Sequence, residues 1–294
     1  MTKKNILFVI NPISGGRSKH RVESSIIEKL DHSIYEYEMA YSNAVDHARK
    51  LSKSAAYLGF DVVVAVGGDG TVNEVARGLL SINSHAALGV IPFGSGNGLA
   101  RHLGIPMDIE KAIEVLNKHD LISIDTAVMN EEPFFNVAGT GFDAHISFLF
   151  ANDKKRGLWG YAKAVLNEFA NYKPQKYAIS IDGKLLERNA FMLSIANSSQ
   201  FGNNAHIAPH ASLVDGVLDI AIVKPFPLYQ FPVLAFRLLA RNVDKSDYVE
   251  IIKGSEIKIK RLEAGPIHLD GEPREMGAEL EIKVRPGTLN VLKN

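Results

Sequence analysis

The residues best suited to chemistry form a run of three glycines, an aspartate and a threonine, Gly67-Gly68-Asp69-Gly70-Thr71. Glycine lets a bulky anion approach the backbone closely, and the first N–H groups of a helix point outward without partners. A single glycine pair would indicate only a tight turn. Three glycines around an aspartate, at the end of a predicted strand, favour a loop that binds phosphate.

Two further glycine-containing loops also follow predicted strands. Residues 5–10 lead into Asn11-Pro12-Ile13-Ser14-Gly15-Gly16, and residues 87–92 lead into Phe93-Gly94-Ser95-Gly96-Asn97-Gly98. Because loops that follow parallel strands emerge at one edge of a sheet, we expect the three loops to meet in one crevice. The chain has no Gly-Lys-Ser/Thr sequence, so a Walker A loop is excluded.

Carboxylates of the second half of the chain stand at Asp-Gly pairs. Asp-Gly is a common hairpin turn, which is enough to explain Asp182-Gly183. Asp215-Gly216 instead follows an irregular loop, and Asp270-Gly271 is followed at once by Glu272. Adjacent carboxylates favour proton transfer or cation binding. The residues alone leave open whether these pairs are sites or ordinary turns.

The elements that must position these loops alternate between strand and helix from residue 5 to about residue 128. Residues 62–66 form an apolar, β-branched run typical of a buried parallel strand. Val72, Val75, Ala76 and Leu79 then recur at helical spacing. Asn43 and Asp108 are predicted N-caps of two other helices. The alternation predicts right-handed crossovers and a doubly wound parallel sheet.

The pattern changes after residue 130. Short strands separated by Asp-Gly pairs and single glycines predict a mainly antiparallel second half, with one helix over residues 158–172. Glu131-Glu132-Pro133 is predicted to be the turn between the halves. We therefore expect one domain over residues 1–130 and a second over residues 131–285.

Composition limits the classes of protein to which the chain can belong. It has 294 residues, 46% of them hydrophobic and 22% charged, with a formal net charge of zero. This is ordinary for a globular protein of about two domains, and no global charge recruits nucleic acid. The absence of cysteine excludes disulfides. The N-terminal apolar run is too short for a signal peptide, and no segment approaches the ~20 apolar residues of a membrane span. We expect a cytoplasmic protein.

Two weaker features have ordinary alternatives. The stretch Gly139-Thr140-Gly141-Phe142-Asp143-Ala144 fits a loose dinucleotide-binding pattern, but no second parallel strand with an acidic end follows it. Lys154-Lys155-Arg156 beside Trp159 and Tyr161, and the apolar stretch 226–239, could contact a membrane surface. A solvated charge run and a core helix are the alternative interpretations.

Five motifs, in order along nearly the whole chain, resemble the diacylglycerol kinase catalytic-domain superfamily, and most of all its soluble bacterial lipid kinases. The motifs are Asn11-Pro12-x-Ser14-Gly15, Gly67-Gly68-Asp69-Gly70-Thr71-Val72-Asn73-Glu74, Pro92-x-Gly94-Ser95-Gly96-Asn97-x-Leu99-Ala100-Arg101, Ala208-Pro209-x-Ala211-x-x-x-Asp215-Gly216 and Asp270-Gly271-Glu272. Gly-Gly-Asp-Gly is shared with NAD kinases and phosphofructokinases, whereas the third and fourth motifs point away from those enzymes.

The resemblance implies an α/β + all-β fold. The N-terminal domain would be doubly wound and Rossmann-like, similar to NAD kinase and phosphofructokinase, and the C-terminal domain would be a β-sandwich. ATP and a lipid would bind in the cleft between them. The family also implies that residues 286–294 return to the first domain.

The resemblance further implies roles for individual residues. ATP contacts carried over by position are Asn11, Pro12, Ser14, Gly15, Ser42, Gly67, Gly68, Asp69, Gly70, Thr71, Asn73, Glu74, Gly94, Ser95, Gly96 and Asn97. A structural Mg²⁺ would be held by Asp215 with the backbone carbonyls of Ser212 and Val217, and Asp125 would join that network.

Two acidic residues are the implied catalytic groups. Glu272 would be the proton acceptor, and Asp69 would orient Mg·ATP or the hydroxyl. In sphingosine kinases the matching aspartate is regarded as a base candidate, so the two roles are exchangeable. Ser42 and Ser95 stand where many relatives have threonine, which keeps the hydroxyl. Gly94-Ser95-Gly96-Asn97 is closer to sphingoid-base kinases than to many bacterial members, which leaves the identity of the lipid open.

The expected function is transfer of the γ-phosphate of Mg·ATP to the primary hydroxyl of a lipid such as diacylglycerol or a sphingoid base. We expect transient contact with the inner membrane surface and no nucleic acid partner. The alternatives are an NAD kinase-like phosphotransferase with a soluble hydroxyl substrate and a catalytically silent nucleotide-binding regulator. The oligomeric state stays open, with a homodimer among the options.

Overall fold

The computed structural model describes residues 3–14, 20–150, 165, 167–169 and 171–294. The chain divides into two compact units, Met1–Asp125 with Pro286–Asn294, and Thr126–Arg285. Gly15, the basic segment 154–156, Trp159, Tyr161 and most of the helix predicted over 158–172 lie outside the described residues.

The first unit contains alternating strands and helices. Its elements are β1 (Lys4–Ile10), α1 (His20–Lys29), β2 (Tyr35–Tyr41), α2 (His47–Tyr57), β3 (Val62–Gly67), α3 (Asp69–Leu80), β4 (Ala87–Pro92), α4 (Gly98–His102), α5 (Ile109–Lys118) and β5 (Leu121–Met129), the last of which runs into the second unit.

The second unit is mostly strands. It contains β6 (Glu132–Phe134), β7 (Val137–Gly141), α6 (Phe142–Phe150), β8 (Gln175–Ile181), β9 (Lys184–Ala190), β10 (Met192–Ala196), β11 (Leu218–Val223), α7 (Phe231–Leu239), β12 (Val249–Gly254), β13 (Glu256–Lys260), β14 (Gly265–Leu269), β15 (Glu272–Met276) and β16 (Glu279–Leu292), which runs back into the first unit. Short 3₁₀ turns occupy Leu228–Gln230 and Val243–Lys245.

The sheet of the first unit has the order β2-β1-β3-β4-β16, and its neighbouring strands are parallel. Residues 62–66 of β3 are completely buried, as their unbroken apolar character predicts. The last residues of the chain add the fifth strand, because Val291 pairs with Leu88. Since β1, β3 and β4 are parallel neighbours, the loops that follow them leave the sheet at the same edge.

One helix of the first unit begins later than its sequence indicates. Asn43 is the predicted N-cap, but α2 begins at His47, and its N-cap is Asp46 in a left-handed conformation (φ 67°). The backbone N–H of Asn43 instead donates to His47 Nδ1. Asp108 caps α5 as predicted, because its carboxylate accepts the N–H of Lys111 at 3.2 Å.

The second unit consists of two antiparallel layers. One is the sheet β12-β11-β10-β7-β14-β15, and the other contains β9, β8 and β13 with the adjoining part of β16. Ile179 and Ile257 of one layer pack with Ile195, Ile220 and others of the opposite layer in a buried hydrophobic core. This core explains the alternation of apolar and polar residues along the strands. The predicted fold class, a parallel α/β domain followed by an antiparallel β-sandwich, is confirmed.

The strands and helices bear on two features that the sequence analysis weighed, the dinucleotide-binding pattern and membrane spans. The stretch 139–144 passes from β7 into α6, and β7 pairs antiparallel with both of its neighbours, so no dinucleotide-binding βαβ unit is present there. None of the helices in the described ranges is long and apolar enough to cross a membrane.

Candidate functional site

A cavity of about 450 Å³ lies at the carboxyl edge of the parallel sheet in the first unit. Three chain segments that follow strands contribute to it. The predicted ligand-binding residues in its lining are Asn11, Pro12, Ser14, Ser42, Gly68, Gly70, Thr71 and Glu74. Gly67, Asp69 and Asn73 are outside this lining.

The first turn of α3 forms one wall of this cavity. The helix begins directly after Gly68, and its first i→i−4 hydrogen bond runs from Val72 N to Gly68 O at 3.1 Å. The N–H groups of residues 69–71 therefore precede the helical ladder, and the helix dipole adds positive potential at this end. Asn11 fixes the neighbouring loop, because its Nδ2 donates to Thr71 Oγ1 at 3.0 Å. The arrangement suits an anion.

Asp69 connects two of the glycine loops. Its Oδ2 accepts the backbone N–H of Asn97 at 2.8 Å, and its Oδ1 accepts that of Gly98 at 2.8 Å. Both carboxylate oxygens are thus used to hold the loop that follows β4. Charge-assisted hydrogen bonds of this kind are stronger than neutral ones. In this geometry Asp69 joins the start of α3 to the loop that follows β4.

The same two loops also touch through their backbones. A Cβ atom on Gly94 would lie 2.7 Å from the Cα of Gly68, and a Cβ atom on Gly96 would lie 2.6 Å from Asp69 Oδ2. Only residues without side chains allow this approach. Gly94, Ser95 and Asn97 line a second cavity of about 360 Å³ together with Arg101 and others. The three loops therefore share one edge of the sheet but line two cavities.

Asn97 shapes the third loop from within. It has a left-handed backbone (φ 54°), its Oδ1 accepts the N–H of Gly94 at 3.1 Å, and its Nδ2 donates to the Gly94 carbonyl at 2.7 Å. Arg101 Nε donates to the Gly96 carbonyl at 2.9 Å. The asparagine and arginine of this motif thus stabilise the loop conformation.

Glu74 and Asn73 differ in how they are partnered. The carboxylate of Glu74 accepts the N–H groups of Asp46 at 2.9 Å and Ala48 at 3.0 Å, so Glu74 caps the start of α2 from a neighbouring helix. This long-range cap explains why α2 needs no capping side chain of its own. Asn73 is buried, and both polar atoms of its amide lack a hydrogen-bond partner among the described residues.

In the second unit, Glu272 lies on a firmly anchored hairpin. Strands β14 and β15 are joined by Asp270 and Gly271, both with positive φ (52° and 85°), which is the geometry of a type I′ turn. Asp270 accepts the N–H groups of Phe135, Asn136 and Val137 at 2.7 to 3.0 Å. The turn is therefore tied to the strand that precedes α6. The carboxylate of Glu272 pairs with Arg274 at 3.0 Å.

The base of this hairpin is held by a buried arginine. Arg261 donates to Thr140 Oγ1 at 3.0 Å and to backbone carbonyls on both strands, those of Gly265, Pro266, Met276 and Gly277. Burial lowers the pKa of Arg261 below the usual arginine value. The guanidinium therefore links β14 to the end of β15 on the side of the hairpin opposite the Asp270-Gly271 turn.

Sequence reasoning missed a buried pair beside this hairpin. His268 Nε2 lies 3.0 Å from Asp143 Oδ2, and Ser194 Oγ donates to the same carboxylate oxygen at 3.2 Å. A Cβ atom on Gly139 would collide with both the carboxylate and the imidazole, so this glycine makes room for the pair. The paired glycines at residues 139 and 141, at a strand end followed by an aspartate, are the signal that could have identified it.

The predicted metal ligands are divided between the units. Asp125 belongs to the first unit, and its Oδ1 accepts the N–H of Gly287 at 2.8 Å. In the second unit, Ser212 Oγ accepts the N–H of Val214 at 3.3 Å, and the N–H of Val217 donates to Asp215 at 3.4 Å. No cluster of three or more His, Cys, Asp or Glu residues suited to a metal ion occurs in the described ranges.

A lysine of the chain already supplies positive charge at Asp215. Lys253 Nζ lies 2.9 Å from Asp215 Oδ2 and 3.5 Å from Asp219 Oδ2, and Asp219 is buried directly opposite Lys253 on β11. Burial raises the pKa of Asp219, and the hydrogen bond to Asp215 raises the pKa of Lys253. A Mg²⁺ ion at Oδ2 of Asp215 would compete with the Lys253 ammonium, and the metal assignment stays a prediction.

Two family models together match almost the whole chain. The diacylglycerol kinase catalytic domain matches residues 5–129, and the YegS C-terminal NAD kinase beta sandwich-like domain matches residues 136–293. The boundary between the two matches lies close to the division of the chain into its two units.

Similar proteins agree with these matches. The chain is 29% identical to a diacylglycerol kinase of Bacillus subtilis over 92% of this chain and 90% of that protein. It is 32% identical to a probable lipid kinase, YegS-like, of Chromohalobacter salexigens over 76% of this chain and 73% of that protein. A crystal structure of a diacylglycerol kinase from Bacillus anthracis has the same fold, with a TM-score of 0.77 and 20% identity over 100% of this chain and 98% of that one.

Proposed function

This chain belongs to the family of diacylglycerol kinases and YegS-like lipid kinases, and on that premise we propose that it transfers the γ-phosphoryl group of Mg·ATP to the primary hydroxyl of a lipid. Diacylglycerol and a sphingoid base are the acceptors we consider. The reaction would take place at the inner membrane surface, which the enzyme approaches from the cytoplasm.

The cavity at the start of α3 is the observation that carries the ATP assignment. Its wall combines the first turn of a twelve-residue helix with the Asn11 loop and Ser42. None of the described residues in its lining is lysine or arginine. Backbone N–H groups and the Mg²⁺ that accompanies ATP would therefore balance the charge of the phosphates.

Glu272 is the proposed proton acceptor. A hydroxyl is a poor nucleophile at neutral pH, so a carboxylate that takes its proton during phosphoryl transfer speeds the reaction. Glu272 is half-buried on a rigid hairpin and pairs with only one cation, Arg274, among the contacts described above. Both oxygens of Asp69 are used by backbone N–H groups, which favours a positioning role for Asp69 and the base role for Glu272.

An apolar cavity in the second unit supports a lipid acceptor. It has a volume of about 110 Å³, and its lining includes Phe142, Phe191, Met192, Phe226, Phe231 and Leu238. Aromatic and aliphatic walls with few polar groups suit a hydrocarbon chain rather than a soluble substrate such as NAD.

A labelled-phosphate transfer assay tests the proposal. The enzyme is given γ-labelled ATP with diacylglycerol, sphinganine or NAD, and we expect label only in a lipid fraction. Label in NAD would favour the NAD kinase-like alternative, and ATP binding without any product would favour a silent regulator. Glu272→Gln should lower kcat roughly 10²- to 10⁴-fold with little change in the KM for ATP. Glu275→Gln, an exposed neighbour on the same strand, is the matched control and should keep wild-type turnover.

A further inference from the structure

One surface of the second unit is apolar although it faces solvent. It is formed by α7 and the 3₁₀ turn before it. The exposed apolar side chains are Leu228 (50% exposed), Tyr229 (73%), Val233 (46%), Phe236 (68%) and Leu239 (59%), and we call this set the apolar row. Single exposed apolar residues are common, but five within twelve positions indicate an interaction surface.

The apolar row is held rigidly by the opposite side of the same helix. Leu234 is buried in one apolar cluster of the second unit and Leu238 packs against the same cluster, while Phe231 packs against a second cluster around Phe142 and Phe191. Phe231 also makes an edge contact with Phe169. A helix that is apolar on all sides is normally buried on all sides. In α7 one side packs on the core, while Val233, Phe236 and Leu239, each three residues from the next, are exposed to water. Tyr229, in the 3₁₀ turn before the helix, lies four residues before Val233 and is also exposed.

Positive charge flanks the apolar row. Residues 224–241 contain three basic residues, Lys224, Arg237 and Arg241, and no acidic residue, although the chain as a whole has equal numbers of basic and acidic residues. Lys224, which is partly exposed, and Arg241, which is exposed, stand at the two ends of the segment. Arg237 lies within α7, is partly exposed and donates to the carbonyl of Asn242 at 3.2 Å, and Lys224 donates to the carbonyl of Asp247 at 3.3 Å. Apolar side chains with basic neighbours are the composition of helices that lie in the interface of an anionic bilayer.

We propose that the apolar row docks the protein on an anionic lipid bilayer, with Lys224, Arg237 and Arg241 against the lipid head groups. Phe236 and Leu239 enter the boundary between head groups and acyl chains, because they are among the most exposed apolar side chains of the row. The inference rests on the proposed function only in that a lipid kinase has to take its substrate from a bilayer.

Vesicle co-sedimentation of the full chain tests the docking surface. The probes are vesicles of phosphatidylcholine with phosphatidylglycerol, and vesicles of phosphatidylcholine alone. We expect the wild type to bind the anionic vesicles at least tenfold better. The double variant Phe236→Ser/Leu239→Ser should lose most of that binding, at least tenfold. Leu185→Ser and Leu262→Ser replace apolar residues elsewhere in the same unit that are even more exposed, and both should bind like the wild type.

A charge variant makes the test independent of the apolar substitutions. Lys224→Gln/Arg241→Gln should weaken binding to anionic vesicles severalfold and reduce its dependence on salt, because fewer cations face the head groups. Thermal unfolding of each variant should match the wild type, since the replaced side chains contact solvent. Equal vesicle binding by the wild type and both double variants would overturn the proposal.

The kinase assay separates this proposal from the proposed function. On detergent-dispersed lipid the apolar double variant should keep wild-type kcat, whereas on anionic vesicles its rate should fall at least tenfold. Vesicle binding that depends on the apolar row, without phosphorylation of any lipid, would uphold the docking surface and contradict the lipid kinase assignment. A dimer that dissociates when Phe236 and Leu239 are replaced, with no vesicle binding by the wild type, would show a subunit interface and overturn docking.

Discussion

The carboxylate of Asp69 accepts the backbone N–H of Asn97 at 2.8 Å, so the first turn of α3 holds the loop that follows β4. The N–H of Gly98 completes the contact at the other carboxylate oxygen. Asp69, in the glycine loop after β3, therefore shapes the glycine loop after β4. A substitution in either loop should therefore change the conformation of both loops.

Replacement of Asp69 by asparagine should disturb both loops. Asn keeps the size of the side chain, but its NH₂ group would face a backbone N–H and leave it unpaired. We expect a loss of about 1 to 3 kcal/mol in the free energy of unfolding and a raised KM for ATP. Urea unfolding and steady-state kinetics measure the two effects. The exposed Asp120→Asn is the control. A fall in kcat alone, at unchanged stability and KM, would instead identify Asp69 as the base.

Gly94→Ala should separate the two glycine loops. Its new methyl group would lie 2.7 Å from the Cα of Gly68, a backbone atom that cannot move without shifting the start of α3. We expect at least a tenfold loss of ATP affinity by isothermal titration calorimetry. Gly277→Ala places a methyl group where nothing lies within 4 Å and should change neither affinity nor stability. Wild-type affinity in Gly94→Ala would contradict the close packing of the loops.

Glu74→Ala should destabilise α2 from a distance. The substitution leaves the N–H groups of Asp46 and Ala48 without their acceptor, and loss of a helix cap costs about 1 kcal/mol. Glu74→Gln retains one acceptor oxygen and should lose less. Thermal unfolding measures both, with the exposed Glu114→Ala on α5 as the control. Hydrogen exchange should increase at residues 46–48. An unchanged melting temperature in Glu74→Ala would assign Glu74 to ligand contact alone.

Lys253→Met should make stability depend more strongly on pH. Burial raises the pKa of Asp219 above its ordinary 3.8, so the folded state binds this proton more tightly than the unfolded state does. The free energy of unfolding therefore falls as pH rises from that value through the raised pKa. Loss of the ammonium raises the pKa further, and we expect an added loss of about 1 to 3 kcal/mol at neutral pH that disappears in acid. Urea unfolding across this pH range measures it.

A second substitution and an added ion provide the checks on that result. Asp219→Asn on the Lys253→Met background should abolish the extra pH dependence, because no buried carboxylate is left. If Asp215 is a Mg²⁺ ligand, Mg²⁺ should stabilise Lys253→Met more than the parent, since the competing ammonium has gone. An equal effect of Mg²⁺ on both would argue against a metal site at Oδ2 of Asp215, the oxygen that Lys253 contacts. A pH profile unchanged by Lys253→Met would contradict the ion pair with Asp219.

Patterns local in sequence predicted the architecture correctly. The unbroken apolar run of β3 and the helical spacing of Val72, Val75 and Leu79 gave strand and helix with the observed burial. Strand and helix periodicities report directly on which side chains leave water. The N-cap Asp108 was also predicted correctly, because a cap is a local contact: its partner, the N–H of Lys111, is only three residues away.

Asp-Gly pairs show where local pattern stops being informative. Asp182-Gly183 and Asp270-Gly271 have nearly the same backbone, with φ values of 47° and 82° in one and 52° and 85° in the other. Both aspartates also accept backbone N–H groups from distant strands, Asp182 from Ser255 and Glu256. Of these two pairs, only Asp270-Gly271 is followed by a glutamate at the start of the next strand. The two turns therefore share their backbone conformation and their hydrogen bonds to distant residues. They differ in the residue that follows, which is Lys184 after one turn and Glu272 after the other.

The sequence by itself determined the parallel sheet of the first unit, the two antiparallel layers of the second and the strand ends at which the glycine loops lie. These features depend on the periodicity of buried residues and on the positions of glycines, both of which can be read along the chain. Only the tertiary structure decided that Asp69 holds Asn97, that Glu74 caps α2 and that Lys253 neutralises Asp219. Each of these contacts joins residues between 26 and 34 positions apart, and such contacts form only when packing brings two specific atoms together, here to between 2.8 and 3.5 Å.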